Sequence, residues 1–407
     1  MNILLVTSYF PPDNGSAANL FHDLAHNLSN KDNEVTVLTT IPQYHSVGNL
    51  DKYKKKIWVT EKKNKITIHR IRCPRFEGIF KIGRGLWQIW VSLALSLGAL
   101  FLKKNDICLV YSPPLPLCLS GFLLNKFRGT KVILNIQDLV PQSIIDLGML
   151  KNHSLIQIFN NLEQFSYGYA DHITVMSQGN LEHVTSQGVA SNKVSIIENW
   201  VNIPDSQPTT IPSNILDKYS LSNSKLITFG GVLGYSQDLD IIINAARITT
   251  YRTDILWLII GDGAQKEYLL GSITEYGLSN IKMLPMLERH EYDAILANSY
   301  LGLATLKPIV KTPVVPSKIY SIMSAGIPVL CAMDLAGDAP KLIKELNCGV
   351  NILPGDYNKL AKSAIHLVDN EFDRAKLGEN GLNYIKNNLN VSSATIKYQE
   401  LFANLLE

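Results

Sequence analysis

The sequence predicts an α/β protein with two doubly wound parallel-sheet domains, and three observations support this. First, its 407 residues are too many for one ordinary domain. Second, short apolar, β-branched runs alternate with amphipathic helical segments, which is typical of parallel sheets covered on both faces. Third, the alternation breaks at residues 203–213, where Pro204, Pro208 and Pro212 lie among polar residues, and then restarts. A proline-rich polar stretch of this kind indicates a linker.

Seven strands are predicted before the linker and five after it. The first group is Ile3–Thr7, Glu34–Leu38, Ile66–Arg70, Ile107–Tyr111, Lys131–Ile136, His172–Met176 and Val194–Ile197. The second group is Lys225–Phe229, Ile255–Ile260, Ile281–Leu284, Leu301–Leu306 and Pro328–Ala332. Helices are expected between them, as at Asn19–Leu28, Leu239–Thr249 and Ser317–Ser324. We place the domains at residues 1–205 and 206–384, and assign 385–407 to a C-terminal helix that packs back on the first domain.

The cysteines and the N-terminus indicate a reducing compartment. The five cysteines form no Cys-x-x-Cys pair and have no nearby histidine partner, which argues against a disulfide framework and a zinc site. The chain begins with an apolar strand, Ile3–Thr7, without the basic segment and cleavage site of a signal peptide. These features predict a cytoplasmic protein.

Positive charge is concentrated in one segment of the first domain. Residues Lys52–Arg84 contain twelve lysines and arginines against only Glu61 and Glu77, whereas the whole chain has a net charge of +3. Such a segment needs a partner. An anionic membrane surface is the partner we favour, because each basic residue near one contributes ~1 kcal/mol. Nucleic acid is not expected, since few aromatic residues interleave with the charges and no binding module is recognisable.

An apolar helix is predicted directly after this basic segment. Among the seventeen residues Leu86–Leu102, the polar side chains Gln88, Ser92 and Ser96 recur every four residues, on one helical face. Such a helix is about 26 Å long, short for a bilayer core of ~30 Å. The pattern fits an interfacial helix or a helix buried beneath the sheet equally well, and the basic neighbours favour the membrane interface.

Three features of the second domain suggest a phosphate site. The strand Lys225–Phe229 ends in the glycine-rich turn Gly230–Gln237, and the next strand ends in Gly261-Asp262-Gly263. Glycines between a strand and a helix let backbone N–H groups approach a phosphate, although a plain tight turn explains one glycine pair as well. The third feature is Pro316-Ser317-Lys318 at a predicted helix start. A lysine there is disfavoured by the helix dipole, which makes Lys318 informative.

Candidates for a second site lie in the first domain. Asp138 follows the strand Lys131–Ile136, at a carboxyl end where parallel sheets bind ligands. A carboxylate there could orient or deprotonate an acceptor hydroxyl, and capping of the helix after Pro141 is the equally supported alternative. The long turn Ser8–Ala17 follows the first strand, and a turn without a ligand explains it equally well.

Seven short motifs are spread in order from Tyr9 to Val329. They are Tyr9-Phe10-Pro11-Pro12 with Gly15-Ser16-Ala17, Tyr111-Ser112-Pro113-Pro114, Gln137-Asp138-Leu139-Val140-Pro141-Gln142, Glu198-Asn199-Trp200-Val201-Asn202, Gly230–Gln237, Gly261-Asp262-Gly263, and Pro316-Ser317-Lys318 with Ala325-Gly326-Ile327-Pro328-Val329. In order and spacing they resemble the retaining glycosyltransferases of family 4, which have the GT-B fold. The similarity is greatest to bacterial polysaccharide-assembly enzymes, such as the fucosamine transferases of O-antigen synthesis and the colanic-acid transferases.

The resemblance implies a fold and an activity. The GT-B fold has two Rossmann-like domains facing a cleft. The implied reaction moves a sugar from a nucleotide-sugar, with UDP preferred over GDP, through an oxocarbenium-like state with retention of configuration. No metal or other cofactor is expected. The implied acceptor is a lipid-linked glycan, so we expect a cytoplasmic enzyme peripherally associated with the inner face of the cell membrane through Lys52–Arg84 and Leu86–Leu102.

The resemblance also suggests which residues form the site. Lys318 and Asp138 are the expected catalytic residues. The donor-binding candidates are Gly231, Gly234, Gln237, Gly261, Asp262, Gly263, Lys307, Ser317 and Ser321. The acceptor-side candidates are Gly15, Ser16 and Asn199. Among them Lys307, eleven residues before Lys318, is a second candidate cation for the diphosphate.

The chain departs from the family pattern at two places. Many members carry two glutamates eight residues apart, and Pro313 and Ser321 occupy these positions here. The family's basic pair in the glycine-rich turn is replaced by Val232 and Gln237. Diphosphate binding would then depend on Lys318, Ser317 and backbone N–H groups near Gly234.

Three other functions are weighed against this one. A GT-B sugar-nucleotide 2-epimerase needs no membrane face, and the Pro-Ser-Lys motif argues against it. A non-catalytic relative is permitted by the missing glutamates, whereas Lys318 and Asp138 argue against it. A dinucleotide oxidoreductase is disfavoured, because no Gly-x-Gly-x-x-Gly follows the strand Ile3–Thr7.

Overall fold

A computed structural model describes residues 1–13, 15–31, 33–42, 50–74, 82–201 and 213–407, without the side chains of 82–84 and 213–214. The chain divides into two compact units. Unit 1 comprises Met1–Trp200 together with Val391–Glu407, and unit 2 comprises Val201–Asn390. Most of the predicted linker at 203–213, and the expected boundary after residue 205, lie outside the described residues.

The strands follow the predicted apolar runs closely. They are β1 Asn2–Val6, β2 Glu34–Thr40, β3 Trp58–Lys63, β4 Ile66–Ile71, β5 Ile107–Ser112, β6 Lys131–Ile136, β7 His172–Val175, β8 Val194–Ile196, β9 Lys225–Gly230, β10 Ile255–Ile260, β11 Ile281–Leu284, β12 Leu301–Thr305, β13 Val329–Ala332 and β14 Gly349–Ile352.

Helices connect most of these strands. They are α1 Ser16–Ser29, α2 Ile82–Ala99, α3 Leu119–Arg128, α4 Gln142–Asp146, α5 His153–Tyr169, α6 Gln178–Ser186, α7 Ser213–Lys218, α8 Asp240–Ile248, α9 Lys266–Glu275, α10 Arg289–Ala297, α11 Ser317–Ser324, α12 Asp338–Leu346, α13 Tyr357–Asp369, α14 Glu371–Asn388 and α15 Val391–Leu406.

The sheet of unit 1 has eight strands in the order β3-β4-β2-β1-β5-β6-β7-β8. The strand order reverses between β1 and β5, so the carboxyl ends of these two strands form a topological switch point. All pairs are parallel except β3 with β4. Sequence analysis missed β3, because this edge strand is lysine-rich and exposed and lacks the apolar run of a buried strand.

Helices cover both faces of this sheet. One face packs against α2, α3 and α5, which contribute Val91, Leu124 and Tyr167 to a buried cluster. The other face packs against α1 and α15, which contribute Phe21 and Phe402. This confirms the doubly wound architecture that the alternating pattern predicts.

The sheet of unit 2 is entirely parallel, in the order β11-β10-β9-β12-β13-β14. This is the Rossmann strand order, with its switch point between β9 and β12. One buried cluster joins α8, α9 and α13 to the sheet, and a second joins α11, α12 and α14. Sequence analysis missed β14, a four-residue strand that begins at Gly349.

The last helix, α15, belongs to unit 1 although unit 2 precedes it in the chain. The Tyr398 hydroxyl accepts a hydrogen bond from Asn135 Nδ2 of β6 at 3.0 Å. Phe402 is 0% exposed in the cluster that also holds Phe21. The helix therefore completes the hydrophobic core on one face of the unit 1 sheet.

The polar face of helix α2 is turned inwards. Ser92 and Ser96 are buried, as the alternative of a helix packed beneath the sheet predicts. Ser92 Oγ donates to the Gln88 carbonyl at 2.8 Å, which satisfies this hydroxyl within the helix. Within the part of the chain that the structure describes, no helix combines the length and apolar character needed to cross a membrane.

Replacing the buried Phe402 with alanine tests the contribution of α15. We expect Phe402→Ala to lower the free energy of unfolding by about 3 kcal/mol, because it leaves a cavity in the core. Phe372→Ala is the matched control, since Phe372 is 75% exposed. The measurement is denaturant unfolding followed by circular dichroism. Equal effects of the two substitutions would contradict the packing of α15 on unit 1.

Candidate active site

The glycine-rich turn of unit 2 follows β9 at the switch point of the sheet. It is fastened to the neighbouring turn after β10 by two backbone hydrogen bonds. Gly231 N–H donates to the Ile260 carbonyl, and Leu233 N–H donates to the Asp262 carbonyl, each at 2.9 Å. The two glycine-rich turns are therefore one structural unit, built at the strand ends where parallel sheets bind ligands.

Contact between these turns requires glycine at Gly261 and Gly263. A Cβ on Gly261 would lie 2.0 Å from the Gly231 carbonyl oxygen, and one on Gly263 would lie 2.7 Å from the Leu233 carbonyl oxygen. Gly263 also has a φ of 152°, which L side chains rarely adopt. Asp262 accepts a hydrogen bond from Gly263 N–H at 2.8 Å. These three donor-binding candidates thus shape the turn after β9 from behind.

The front of the turn presents unsatisfied backbone donors. Within the described part of the chain, the N–H groups of Val232, Gly234, Tyr235 and Ser236 donate no hydrogen bond. A backbone N–H at a ligand-free site is normally satisfied by water or by an anion. A run of such groups after a strand is the arrangement that binds phosphate oxygens.

Lys318 supplies the positive charge beside this turn. Its Nζ donates to Gln237 Oε1 at 2.7 Å and lies 3.8 Å from the centre of the Phe229 ring. A Cβ on Gly231 would be 3.6 Å from the same Nζ. Burial lowers the pKa of Lys318 to about 7. The structure thus brings Lys318 into one cluster with Gly231 and Gln237, which belong to a single turn distant from Lys318 in the sequence.

Lys307 and Asp238 flank the same turn. Lys307 N–H donates to the Ser236 carbonyl at 2.9 Å, which ties the segment after β12 to the turn. Asp238 Oδ2 accepts from Gly355 N–H at 3.0 Å. Burial raises the pKa of Asp238, while its backbone hydrogen bonds and the charge of Lys307 act in the opposite direction. Asp238, to which sequence analysis gave no role, is a buried link between the turn and the segment after β14.

The serines of α11 occupy different positions along that helix. Ser317 is exposed in the first turn, beside Lys318. Ser321 lies one turn further and its Oγ donates to the Ser317 carbonyl at 3.4 Å. The Ser321 hydroxyl is therefore directed along its own helix in this structure.

In unit 1, Asp138 lies among the strand ends of the switch point. Gln137 N–H donates to the Ser112 carbonyl at 2.8 Å, which places Asp138 beside the end of β5. Burial raises the pKa of Tyr111, and the nearby charges of Asp138 and Tyr9 raise it further. Helix α4 has Pro141 at its N-cap and no side-chain cap, so the alternative that Asp138 caps it is wrong. Asp138 is exposed by surface area, but the protein that surrounds its carboxyl raises the pKa of that group to about 6.

Asn199 lies behind Asp138. It is buried, and its amide pairs reciprocally with that of Gln137 at 2.8 and 3.0 Å. Gln137 also donates to Asn135 Oδ1 at 2.8 Å. This network fixes the residue that precedes Asp138.

The turn after β1 is held by a buried arginine. Arg70 donates to the Pro11 and Thr40 carbonyls, and it pairs with Glu61 at 3.3 Å. Gly15 is the N-cap of α1 and has a φ of 142°. No side chain accepts a hydrogen bond from the first N–H groups of this helix. Ser16 is exposed at the helix start. Arg70 was counted in the basic segment, and its burial removes it from any surface role.

Sequence reasoning missed Gln265 and the aromatic residues around Asp138. Gln265 is buried in the structure. A polar residue just after the Gly261-Asp262-Gly263 turn is the sequence signal that could have identified it. The Tyr9 ring lies 5.9 Å from the Trp87 ring of α2. Tyr9 and Tyr111 both stand within the family-like motifs, but no local pattern predicts that Tyr111 lies close enough to Asp138 and Tyr9 for their charges to raise its pKa.

Comparison with known proteins assigns both halves of the chain. Residues 15–200 match the glycosyl transferase 4-like domain, and residues 214–384 match the glycosyl transferases group 1 family. The chain therefore carries two glycosyltransferase domains. Their sheets have the fold of GT-B glycosyltransferases, which confirms the fold class that the sequence predicts.

Two bacterial proteins and one solved structure show the range of similarity. WbjE of Pseudomonas aeruginosa, named a probable glycosyltransferase, is 25% identical over 75% of this chain and 77% of its own. WcaI of Escherichia coli K12, whose name assigns it to colanic acid biosynthesis as a glycosyl transferase, is 26% identical over 80% of this chain and 82% of its own. Anabaena HepE, solved with UDP-glucose, has a TM-score of 0.73 at 17% identity over 99% of this chain and 100% of its own.

The tight contact between the two glycine-rich turns can be tested by adding one methyl group. We expect Gly261→Ala to destabilise the protein by at least about 2 kcal/mol, because the added Cβ collides with the Gly231 carbonyl. Gly271→Ala is the control, since a Cβ there has no neighbour within 4 Å and alanine favours the helix α9. Thermal unfolding measures both, and an unchanged melting temperature for Gly261→Ala would refute the contact.

Proposed function

We propose that this chain is a retaining glycosyltransferase that moves a sugar from a UDP-sugar onto a lipid-linked glycan during assembly of a cell-surface polysaccharide. The observation that carries the proposal is the cluster of free backbone N–H groups and Lys318 at the switch point of unit 2. This cluster has the shape and charge needed for a nucleoside diphosphate. The UDP-glucose bound to HepE supports a UDP-sugar as donor.

The chemistry assigned to this cluster is stabilisation of the leaving group. When the bond between the sugar and the diphosphate breaks, negative charge accumulates on the departing phosphate oxygens. Lys318 and the unpartnered N–H groups of Gly234 and Tyr235 belong to the same ordered turn region, and in this proposal they stabilise that charge with little rearrangement. In this proposal the positive charge comes from the chain itself rather than from a metal ion.

The acceptor side is assigned to unit 1. Asp138 is exposed at the carboxyl ends of β5 and β6, where it could orient or deprotonate the attacking hydroxyl. The names of WbjE and WcaI support a role in building a bacterial polysaccharide. The open N-terminus of α1 after Gly15 is a second place for a phosphate oxygen, since no side chain caps it.

A peripheral membrane position is part of the proposal, and the outer surface of α2 supports it. Large apolar side chains form an exposed stripe along the whole helix and beyond its end: Leu86, Ile89, Trp90, Leu93, Leu97 and Phe101. Leu155, Ile158 and Phe165 are exposed on α5, which packs on the same face of the sheet. Contiguous exposed apolar surface of this kind marks an interaction site.

The basic edge of unit 1 adjoins this apolar stripe. Trp58 of β3 lies 3.3 Å from the position that a Cβ on Gly98 would take, so β3 touches the end of α2. Seven lysines of the predicted basic segment are exposed there: Lys52, Lys54, Lys55, Lys56, Lys62, Lys63 and Lys65. Residues 75–81 of that segment lie outside the described residues. Lysines beside an apolar face fit the headgroups and acyl chains of an anionic bilayer.

Binding of UDP to wild type and variants tests the donor site. We expect Lys318→Met to weaken UDP binding by about tenfold to a hundredfold, since a charged contact to the diphosphate is lost. The wild type should also take up a proton on binding at pH 8. Lys318 has a pKa of about 7 when free, so it is mostly neutral there, and the bound diphosphate favours the ammonium form. The affinity should therefore fall as the pH rises above 7.

Calorimetry in two buffers of different ionisation enthalpy measures the affinity and the proton uptake together. Lys318→Arg should bind UDP without the proton uptake, because arginine stays charged. Lys225→Met is the matched control, because Lys225 begins β9 and so lies at the opposite end of that strand from the turn. No binding of UDP to the wild type at millimolar concentration would refute the donor assignment. Binding without any sugar transfer would favour a non-catalytic relative.

Vesicle sedimentation tests the membrane surface. Leu97 is 58% exposed, so Leu97→Glu should leave the fold intact and weaken binding to phosphatidylglycerol vesicles by about tenfold or more. Tyr251→Glu, at a 70% exposed position of unit 2, should bind as the wild type does. Raised salt should weaken vesicle binding by the wild type, because salt screens the attraction between lysines and lipid headgroups. Equal binding of all three proteins would exclude this surface.

A further inference from the structure

A buried glutamine stands behind the donor turn of unit 2. Gln265 Nε2 donates to the Gly234 carbonyl at 2.5 Å and reaches the Gln237 carbonyl at 3.5 Å. Its backbone N–H donates to the Leu233 carbonyl at 3.0 Å. A primary amide has two N–H donors, so one side chain can hold both carbonyls.

These bonds contribute to the orientation of the peptide groups in the turn, together with the Gln237 N–H, which also donates to the Gly234 carbonyl, at 3.1 Å. In a trans peptide the C=O of one residue and the N–H of the next point in opposite directions. With the Gly234 carbonyl drawn inward to Gln265, the Tyr235 N–H is directed outward, where it has no partner in the described structure. Gln265 thus keeps carbonyl oxygens away from the face that would meet an anion.

The same side chain acts indirectly on Lys318. Gln237 is held at its carbonyl by Gln265, and at its side chain it accepts the hydrogen bond from Lys318 Nζ at 2.7 Å. A shift of the turn would therefore move the acceptor that locates the lysine. The Gln265 amide has no competing task at its own helix, since it makes no side-chain capping bond at the start of α9.

We propose that Gln265 is a positioning residue for the donor diphosphate: it turns the carbonyls of the glycine-rich turn inward and so leaves an outer face of N–H donors beside Lys318. The inference rests on the proposed donor site of unit 2. In this proposal Gln265 makes no contact with the nucleotide-sugar, and its effect passes through Gly234 and Gln237.

Calorimetric binding of UDP to three variants tests this role. Gln265→Leu should weaken UDP binding by about tenfold, because the Gly234 carbonyl then keeps only the Gln237 N–H as a donor and the turn is held less firmly. Gln265→Glu should be at least as weak at pH 8, where a carboxylate faces two carbonyls. As the pH falls, the protonated acid can donate to the Gly234 carbonyl, so the Kd ratio of Gln265→Glu to wild type should shrink towards 1. The ratio for Gln265→Leu should stay constant.

The matched control is Tyr268→Phe on the same helix, which removes the hydrogen bond to Asp240 and should leave UDP binding unchanged. Melting temperatures of all variants separate a loss of fold from a loss of positioning. A low-pH recovery by Gln265→Glu would support the inference even if Gln265→Leu is poorly folded. Wild-type affinity in both folded Gln265 variants, or a pH-independent Gln265→Glu ratio, would overturn it. Failure of the wild type to bind UDP would instead refute the proposed function itself.

Discussion

The close approach of two glycine-rich turns is the constraint on which the proposed donor site depends. The carbonyl of Gly231 occupies the space where any other residue at position 261 would place its Cβ. This contact and the hydrogen bonds from Gly231 and Leu233 fix the backbone after β9 on the backbone after β10. The N–H groups of the turn are consequently ordered before any ligand arrives, which is how an anion site avoids the cost of reorganisation. Gln265 contributes to the same contact, because its side-chain amide donates to the Gly234 carbonyl.

Lys318 shows how such a site can operate with one close cation. Its amine rests between Gln237 and the Phe229 ring rather than on a carboxylate. A carboxylate partner would hold the ammonium strongly and compete with the diphosphate, whereas a neutral amide and an aromatic ring release it readily. The replacement of the family's basic pair by Val232 and Gln237 thus has a structural counterpart: Gln237 orients the lysine instead of adding charge.

Helix α2 of unit 1 has one face that is buried and one that is exposed. Val91 and Leu95 of α2 pack on the sheet, and the serines between them are small enough to be buried with them. The outer face holds leucines, isoleucine and tryptophan whose side chains are about half exposed. A helix that is apolar on both sides is normally enclosed in a core or placed against lipid. Its exposure next to the lysines of β3 is the observation that supports the proposed contact of α2 with a bilayer surface.

The sequence by itself determined the alternation of strands and helices and the two domains, and it indicated Gly231, Gly261, Lys318 and Asp138 as candidates. These follow from local rules, because strand and helix periodicities and glycine turns are written in consecutive residues. Tertiary structure alone decided that Gln237 holds Lys318, that Asn199 pairs with Gln137, that Arg70 is buried under the turn after β1, and that Ser92 and Ser96 face inward. Each of these depends on contacts between elements distant in the chain, and periodicity identifies the faces of a helix without saying which one meets the sheet. The edge strand β3 was missed for the same reason, since its pairing with β4 rather than its own composition makes it a strand.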